Sequence, residues 1–332
     1  MKGDPEALGR QAAKDFLQTF IRPAVEKKMK IHFDRWTSEY AHIRKGGYVD
    51  RVRKIFQRKG LEYKKEGAWW LKTSGFGDDK DRALVTSDGF PTYFFVDAGH
   101  YLETKERGFG KKINIVGADH HGYVSRIQAV AKILELPSDV VVMQLVRLVS
   151  GGKEVRMSKR KGTFVTIDEL IDEVGLDSAR YFFLEKSPNT HIDFDLDLAK
   201  ERSVKNPVYY VQYAFVRCRN ILQKAQSTKS KAQIKHKIQD TKLLNTAEET
   251  NLIKKLIQFP EVVEDITKDY QVHRLPRYAY ELARSFHNFY EKHRVISENK
   301  QLTAARLALV EATQIVLQSV LGLLGISAPR RM

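Results

Sequence analysis

The sequence predicts an α/β fold followed by an all-α one. Short apolar runs alternate with amphipathic segments between Phe90 and Val149, strand signals stop at about Glu201, and three apolar stripes at helical spacing fill the remainder. The expected domains are residues 1–200 and 201–332, the first carrying an inserted helical and hairpin segment around 1–75. A chain of 332 residues is long enough for two or three cores.

Residues 4–30 read as a solvent-facing helix, and Leu61 to Lys72 as a hairpin about Glu66-Gly67 with Trp69 and Trp70 on its second strand. From Phe90 onward a strand is expected at Thr92 to Val96, a helix at Ala98 to Glu106, a strand at Ile113 to Gly117, a helix at Tyr123 to Leu134 and a strand at Val140 to Val149. That alternation is the pattern of a parallel sheet with covered faces. Ile127, Ala131 and Leu134 share one helical stripe, and Val140 to Leu145, apolar but for Gln144, is the run expected of a fully buried strand. Val204, Val208, Val211, Phe215, Cys218 and Leu222 then form a helical stripe, with Pro207 at its first turn or at a kink. Gln226 to Thr246 is polar and basic, an exposed connection or loosely packed helix. Tyr278, Leu282, Phe286 and Phe289 make a second stripe, and Leu302, Ala305, Leu309, Ala312, Val316, Val320 and Leu323 a third. Gly325 and Pro329 end that helix, and the three together predict a bundle.

Lys and Arg total 57 against 41 Asp and Glu, a net charge of +16, so polyanions are the expected partners. Nucleic acid fits better than a membrane: Met1 to Gln18 is charged throughout, and no apolar run reaches the roughly 20 residues that span a bilayer. A cytoplasmic protein is expected. The single cysteine, Cys218, cannot form an internal disulfide and reads as a core residue.

Three segments could carry chemistry, and the strand pattern puts each at the carboxyl edge of the sheet, where open α/β sheets bind ligands. Gly151 to Gly162 packs glycines and cations into a loop able to close on a polyphosphate, with Lys159 offering a point charge to phosphate oxygens. Gly117-Ala118-Asp119-His120-His121-Gly122-Tyr123 lies between a strand and a helix. Its neighbouring acid and imidazoles, with His100 nearby, also suit a metal, but adjacent residues on a turn rarely aim at one ion, and no metal site is expected. In Ser87 to Asp97, Tyr93 and Asp97 bracket the expected strand end; Asp97 is there either a helix cap or a carboxylate for a cationic group such as guanidinium.

Arg156 to Arg160 resembles the Lys-Met-Ser-Lys-Ser signature of class I aminoacyl-tRNA synthetases, with Arg156 and Arg160 as departures and Lys159 kept. The Gly117 to Tyr123 turn resembles the Gly-x-Asp-x-x-x-His loop that these enzymes use around the ATP ribose and adenine, with Tyr123 in place of the last His. Together with Phe164 to Gly175, Asp193 to Ala199, Asn206 to Tyr213 and the ending Gly325 to Met332, the order and spacing resemble the arginyl-tRNA synthetase family over almost the whole chain. The resemblance implies the C-terminal part of a Rossmann-like class I catalytic domain joined to an α-helical anticodon-binding bundle. It also implies activation of arginine by ATP with Mg2+ and its transfer to tRNA-Arg. Carried over by position, Tyr93, Asp97 and His120 would bind arginine, while Gly117, Asp119, His120, Met157 and Lys159 would line the ATP site. Arg156, Ser158 and Lys159 would be catalytic, and Tyr209, Tyr210, Tyr213, Arg217, Arg219 and Met332 would face tRNA. The family's His-x-Gly-His signature and N-terminal tRNA-binding module are not found, so the chain resembles a piece that begins inside the catalytic fold. A monomer is expected, with a separately supplied N-terminal half left open. The alternatives are a non-catalytic tRNA-binding fragment or paralogue and, from another class, a different nucleotidyl-transferring enzyme with a similar phosphate loop.

Overall fold

The computed structural model describes residues 4–155, 165–227 and 243–332. These form two compact units, one of Phe33–Leu145 and one of Met1–His32 with Val146–Met332.

The Phe33–Leu145 unit opens with the widely wound turn Glu39–Arg44, which buries Ile43, and continues with helix α2 (Tyr48–Arg58), the α-helix next in the chain after α1 (Pro5–Phe16) of the other unit. Strands β1 (Glu62–Lys65) and β2 (Ala68–Leu71) make the expected hairpin, Glu62 opposite Leu71 and Lys65 opposite Ala68. Its turn needs two left-handed residues, and Glu66 at φ 50° and Gly67 at φ 78° supply them. A third antiparallel strand, β3 (Arg82–Val85), completes this sheet. Arg82 is buried and clasps buried Asp78 through two 2.8 Å hydrogen bonds. Burial alone would raise the Asp78 carboxyl, but the hydrogen bonds from Arg82, with Asp79 and Ser125, hold it well below the usual carboxylate range.

The expected strand at Thr92 to Val96 is instead the start of helix α3 (Tyr93–Glu106). Thr92 caps it, its hydroxyl accepting from the Phe95 amide, and Phe94, Phe95, Ala98, Tyr101 and Leu102 are buried at helical spacing. Aromatic and β-branched residues favour strands locally, but burying this face overrides the local preference. Strand β4 (Lys112–Gly117) pairs in parallel with β5 (Ser138–Met143), and α4 (Val124–Leu134) forms the crossover with Ile127, Ala131 and Leu134 buried as expected. The single buried strand expected at Val140 to Val149 is two strands, because β6 (Val146–Ser150) belongs to another sheet and Leu145 between them is 70% exposed. Val140 to Val142 are only half-buried, since helices cover one face of β4 and β5 while Ile113 and Ile115 on the other stay exposed.

In the second unit, β6 pairs in parallel with β8 (Ile192–Asp195) and antiparallel with β7 (Lys153–Glu154). Helix α1 and the more widely wound turns Leu17–Ile21 and Pro23–Lys28 bury no side chain, as the sequence suggested. Thr166 and Glu169 form a reciprocal cap at the start of α5 (Ile167–Val174), which leads through Gly175 at φ 81° into α6 (Leu176–Leu184). A short α7 (Leu196–Lys200) follows β8.

The bundle is α8 (Pro207–Ser227), α9 (Ala247–Ile257), α10 (Phe259–Asp269), α11 (Arg274–Lys292) and α12 (Lys300–Leu323). Pro207 marks the first turn of α8, and buried Asn206 accepts from the Val208 amide while donating to the Ala199 and Glu201 carbonyls. Val208, Val211, Phe215 and Cys218 are buried, but Val204 lies outside the helix and is 60% exposed. The expected α11 stripe is entirely buried. On α12 the expected stripe holds at Ala305, Leu309 and Val320, which are buried, and at Leu302, Ala312 and Val316, which are half-buried, whereas Leu323 is 60% exposed and the buried face also takes in a seam of Thr303, Arg306, Val310, Thr313 and Leu317. Polar groups at core positions hid it: Thr313 donates to the Leu309 carbonyl, and Arg306 is paired. Among the described residues α12 is one helix long and apolar enough, by length and composition alone, to cross a membrane, although Lys300, Arg306 and Glu311 interrupt its apolar residues; it packs on α8 and α11. Of the polar stretch Gln226 to Thr246, residues 228–242 lie outside those described.

Candidate active site and nucleic-acid interface

Asp97 is neither at a strand end nor a helix cap. It lies one turn beyond Tyr93 on α3, and a spacing of four puts both on one face, Tyr93 75% exposed and Asp97 half-buried. Asp97 Oδ2 accepts a 2.6 Å hydrogen bond from the Tyr123 hydroxyl, so the start of α3 and the end of the 117–123 turn are brought together. Burial, reinforced by the Asp97 carboxylate, pushes the Tyr123 hydroxyl well above its ordinary range.

The turn Ala118–Tyr123 is a short 3-10 helix between β4 and α4. A Cβ at Gly117 would come within 2.6 Å of Asp119 Oδ1, so a larger residue there would move that exposed carboxylate. Asp119, His120 and His121 are exposed, with His120 Nε2 3.8 Å from Asp119 Oδ2 and the His120 ring edge-on to Tyr123 at 6.4 Å. Among the described residues no three His, Cys, Asp or Glu side chains group as a metal site would require.

Toward the amino ends of β4 and β5 lies a polar layer that the sequence reading missed. Asn114 donates to the Tyr101 hydroxyl at 2.6 Å and to Ser138 Oγ at 3.1 Å, while the Tyr101 and Ser138 hydroxyls are 2.8 Å apart. Lys112 lies 4.3 Å above the Tyr101 ring, and burial lowers its ammonium to about 8 against the attraction of Asp97 and Glu103. Its signal was a lysine opening an apolar strand, which sequence alone cannot distinguish from an exposed strand end.

Arg156, Met157, Ser158 and Lys159 lie outside the described residues. The strand leading toward them is anchored: Asp197 at the start of α7 accepts from the Gly151 amide at 2.7 Å and from Ser150 Oγ at 3.1 Å. The Gly151 hydrogen bond, with that of Ser150, lowers the Asp197 carboxyl.

On α8, Tyr209 and Tyr213 stack at 6.3 Å with an interplanar angle of 10°. Tyr213 also stacks on His287 of α11 at 5.6 Å, and Tyr210 packs against Tyr280 and His287. Arg217 lies over the Tyr213 and Tyr290 rings and hydrogen-bonds the Tyr213 hydroxyl. Arg219 donates to the Arg330 carbonyl at 3.3 Å. Tyr209, Gln212 and Met332 line a cleft of about 370 Å³, with Lys200 and Arg202 among its cations. His287, buried with no partner for Nε2, was not anticipated, because it sits inside an apolar stripe beside Phe286.

The Gly117 to Tyr123 turn at the carboxyl end of a parallel strand, and a helical bundle following the sheets in the chain, agree with the resemblance of the sequence to class I aminoacyl-tRNA synthetases. Residues 25–201 match the family model for the class I tRNA synthetase (R) catalytic domain, and residues 211–332 match the DALR anticodon binding domain. The arginine–tRNA ligase of Symbiobacterium thermophilum is 45% identical over 91% of this chain and 54% of its own length, and that of Desulforudis audaxviator 43% identical over 99% and 59%. The chain belongs to the arginyl-tRNA synthetase family, and it spans a little over half the length of these relatives. Among solved structures, a putative arginyl-tRNA synthetase from Campylobacter jejuni superposes with a TM-score of 0.83 at 30% identity, covering 97% of this chain and 69% of the other. The Thermus thermophilus arginyl-tRNA synthetase, at 20% identity and a TM-score of 0.74, shares the fold.

Proposed function

We propose that this chain carries the arginine-binding and tRNA-binding parts of an arginine–tRNA ligase. The observation that carries this reading is the pairing of Asp97 with the end of the 117–123 turn on one helix face shared with Tyr93. Asp97 takes the guanidinium, with Tyr93 and His120 beside it, since a carboxylate matches two guanidinium N–H groups. Gly117 and Asp119 with His120 and Met157 contribute to the ATP site, and Arg156, Ser158 and Lys159 stabilise charge developing on the phosphates. Mg2+ would be brought with ATP and would supply charge to the phosphates. Residues 1–200 form the catalytic part and 201–332 the anticodon-binding part of a monomeric cytoplasmic protein.

The sequence holds no His-x-Gly-His, and without that side of the phosphate clamp preorganised charge is supplied from one side only. The 332-residue chain alone should therefore show no arginine-dependent exchange of pyrophosphate into ATP. Exchange above the background of a Lys159→Ala control would show that the chain is a complete catalyst.

The second reading, a tRNA-binding protein without catalysis, is favoured by the stacked Tyr209, Tyr213 and His287 rings beside Arg217. Both readings require tRNA binding. In filter binding, affinity should fall with salt, each phosphate contact adding about 0.7 to the logarithmic slope on single strands. Replacing the anticodon of tRNA-Arg should weaken binding, with a lost stacked base costing roughly 1 to 3 kcal/mol. Equal affinity for both tRNAs would reduce this surface to a general polyanion binder.

A further inference from the structure

We infer that Tyr123 is a positioning residue for Asp97, fixing the carboxylate that receives the substrate guanidinium; this rests on the arginine-binding reading of Asp97. Tyr123 ends the turn that contains His120, and its hydroxyl donates to Asp97 Oδ2 at 2.6 Å. Among the described residues no donor reaches Asp97 Oδ1, so one oxygen is tied and the other is open to a cationic ligand. An aspartate on a helix turns about its side-chain torsions, and a hydrogen bond from a fixed phenol removes that freedom before substrate arrives.

The phenol is itself fixed. The Arg126 guanidinium lies 5.5 Å from the centre of its ring, the His120 ring meets it edge-on, and the ring packs against the buried cluster containing Phe94, Ala98 and Ile127. One side chain thereby sets two things together, the orientation of Asp97 and the place of the turn that bears His120. The ring's reach places a phenolic hydroxyl on Asp97, so Tyr123 gives this chain a means of holding the carboxylate.

The test is calorimetric titration of the 332-residue protein with arginine and, separately, with ATP, using Tyr123→Phe, Asp97→Asn and the double variant. Tyr123→Phe keeps the ring and removes only the hydroxyl, so thermal unfolding should shift little. Arginine affinity should fall roughly tenfold, as expected for losing a hydrogen bond to a charged group, and ATP affinity should stay unchanged. The double variant should bind arginine no more weakly than Asp97→Asn alone, because Tyr123 acts through that carboxylate. Additive losses, a parallel fall in ATP affinity, or unchanged arginine affinity in Tyr123→Phe would each overturn the inference while leaving the arginine site in place. No arginine binding by the unsubstituted protein would overturn the reading of Asp97 and the inference with it.

Discussion

Asp97→Asn should weaken arginine binding by roughly 2 to 5 kcal/mol, about 30-fold to several thousandfold, while ATP affinity changes little. Asparagine keeps the size of the side chain and loses its charge. The bound guanidinium would then be desolvated against a neutral amide, and the amide nitrogen would present donors toward a group that has only donors. The local field makes the loss larger, because the Lys112 cation lies close to the site and Asp97 is one of the two carboxylates, with Glu103, that offset it. Calorimetry of the variant checks this with arginine and with citrulline, a neutral analogue of similar shape. The preference for arginine over citrulline should collapse in the variant. If both ligands keep their affinities, Asp97 serves only to receive the Tyr123 hydroxyl, and the guanidinium partner lies elsewhere.

The candidate site was legible in the sequence where its residues are close in the chain. Gly117 to Tyr123 could be read as a turn between a strand and a helix because the apolar runs on either side are regular, and it is one. Tyr93 and Asp97 read as bracketing a strand end, but they stand one turn apart on a helix, since Tyr-Phe-Phe-Val looks like a strand until the burial of Ala98, Tyr101 and Leu102 is known. The hydrogen bond between Tyr123 and Asp97 could not be read at all: it joins residues far apart in sequence, and no local pattern encodes it. On α12 the apolar stripe caught Ala305, Leu309 and Val320 but not the polar members of the buried face. A rule that scores apolar residues cannot place Thr303, Arg306 and Thr313 in a core, because each is tolerated there only through a partner on another segment or a carbonyl one turn back.

Arg306 leads to the second large effect. Glu249 is fully buried and uses both carboxylate oxygens: Oε1 accepts from Arg306 Nε at 2.8 Å, and Oε2 accepts from the Thr246 amide at 3.1 Å and hydroxyl at 2.9 Å. Arg306 in turn donates to the Arg294 carbonyl at 2.9 Å. One carboxylate thus caps α9 and ties it to α12, while its arginine fixes the chain leaving α11. Glu249→Ala should destabilise the protein by about 3 to 5 kcal/mol, because it strands a buried guanidinium and removes a cap together. Chemical denaturation checks the magnitude, and Glu249→Leu combined with Arg306→Met should recover most of the loss, since an apolar pair strands no charge. Burial alone would raise the Glu249 carboxyl, but Arg306 and Thr246 hold it below its ordinary value. The stabilisation is therefore complete above the unfolded carboxylate value near 4.3 and is lost as pH falls through the lower folded one. Salt should change it little, because the pair is out of solvent. A loss under about 1 kcal/mol in Glu249→Ala would mean that the helices are held by their apolar seams alone. Binding of tRNA separates the roles further. Tyr213 and His287 stack between α8 and α11, away from this pair, so below its lowered melting temperature the variant should bind tRNA as the unsubstituted protein does.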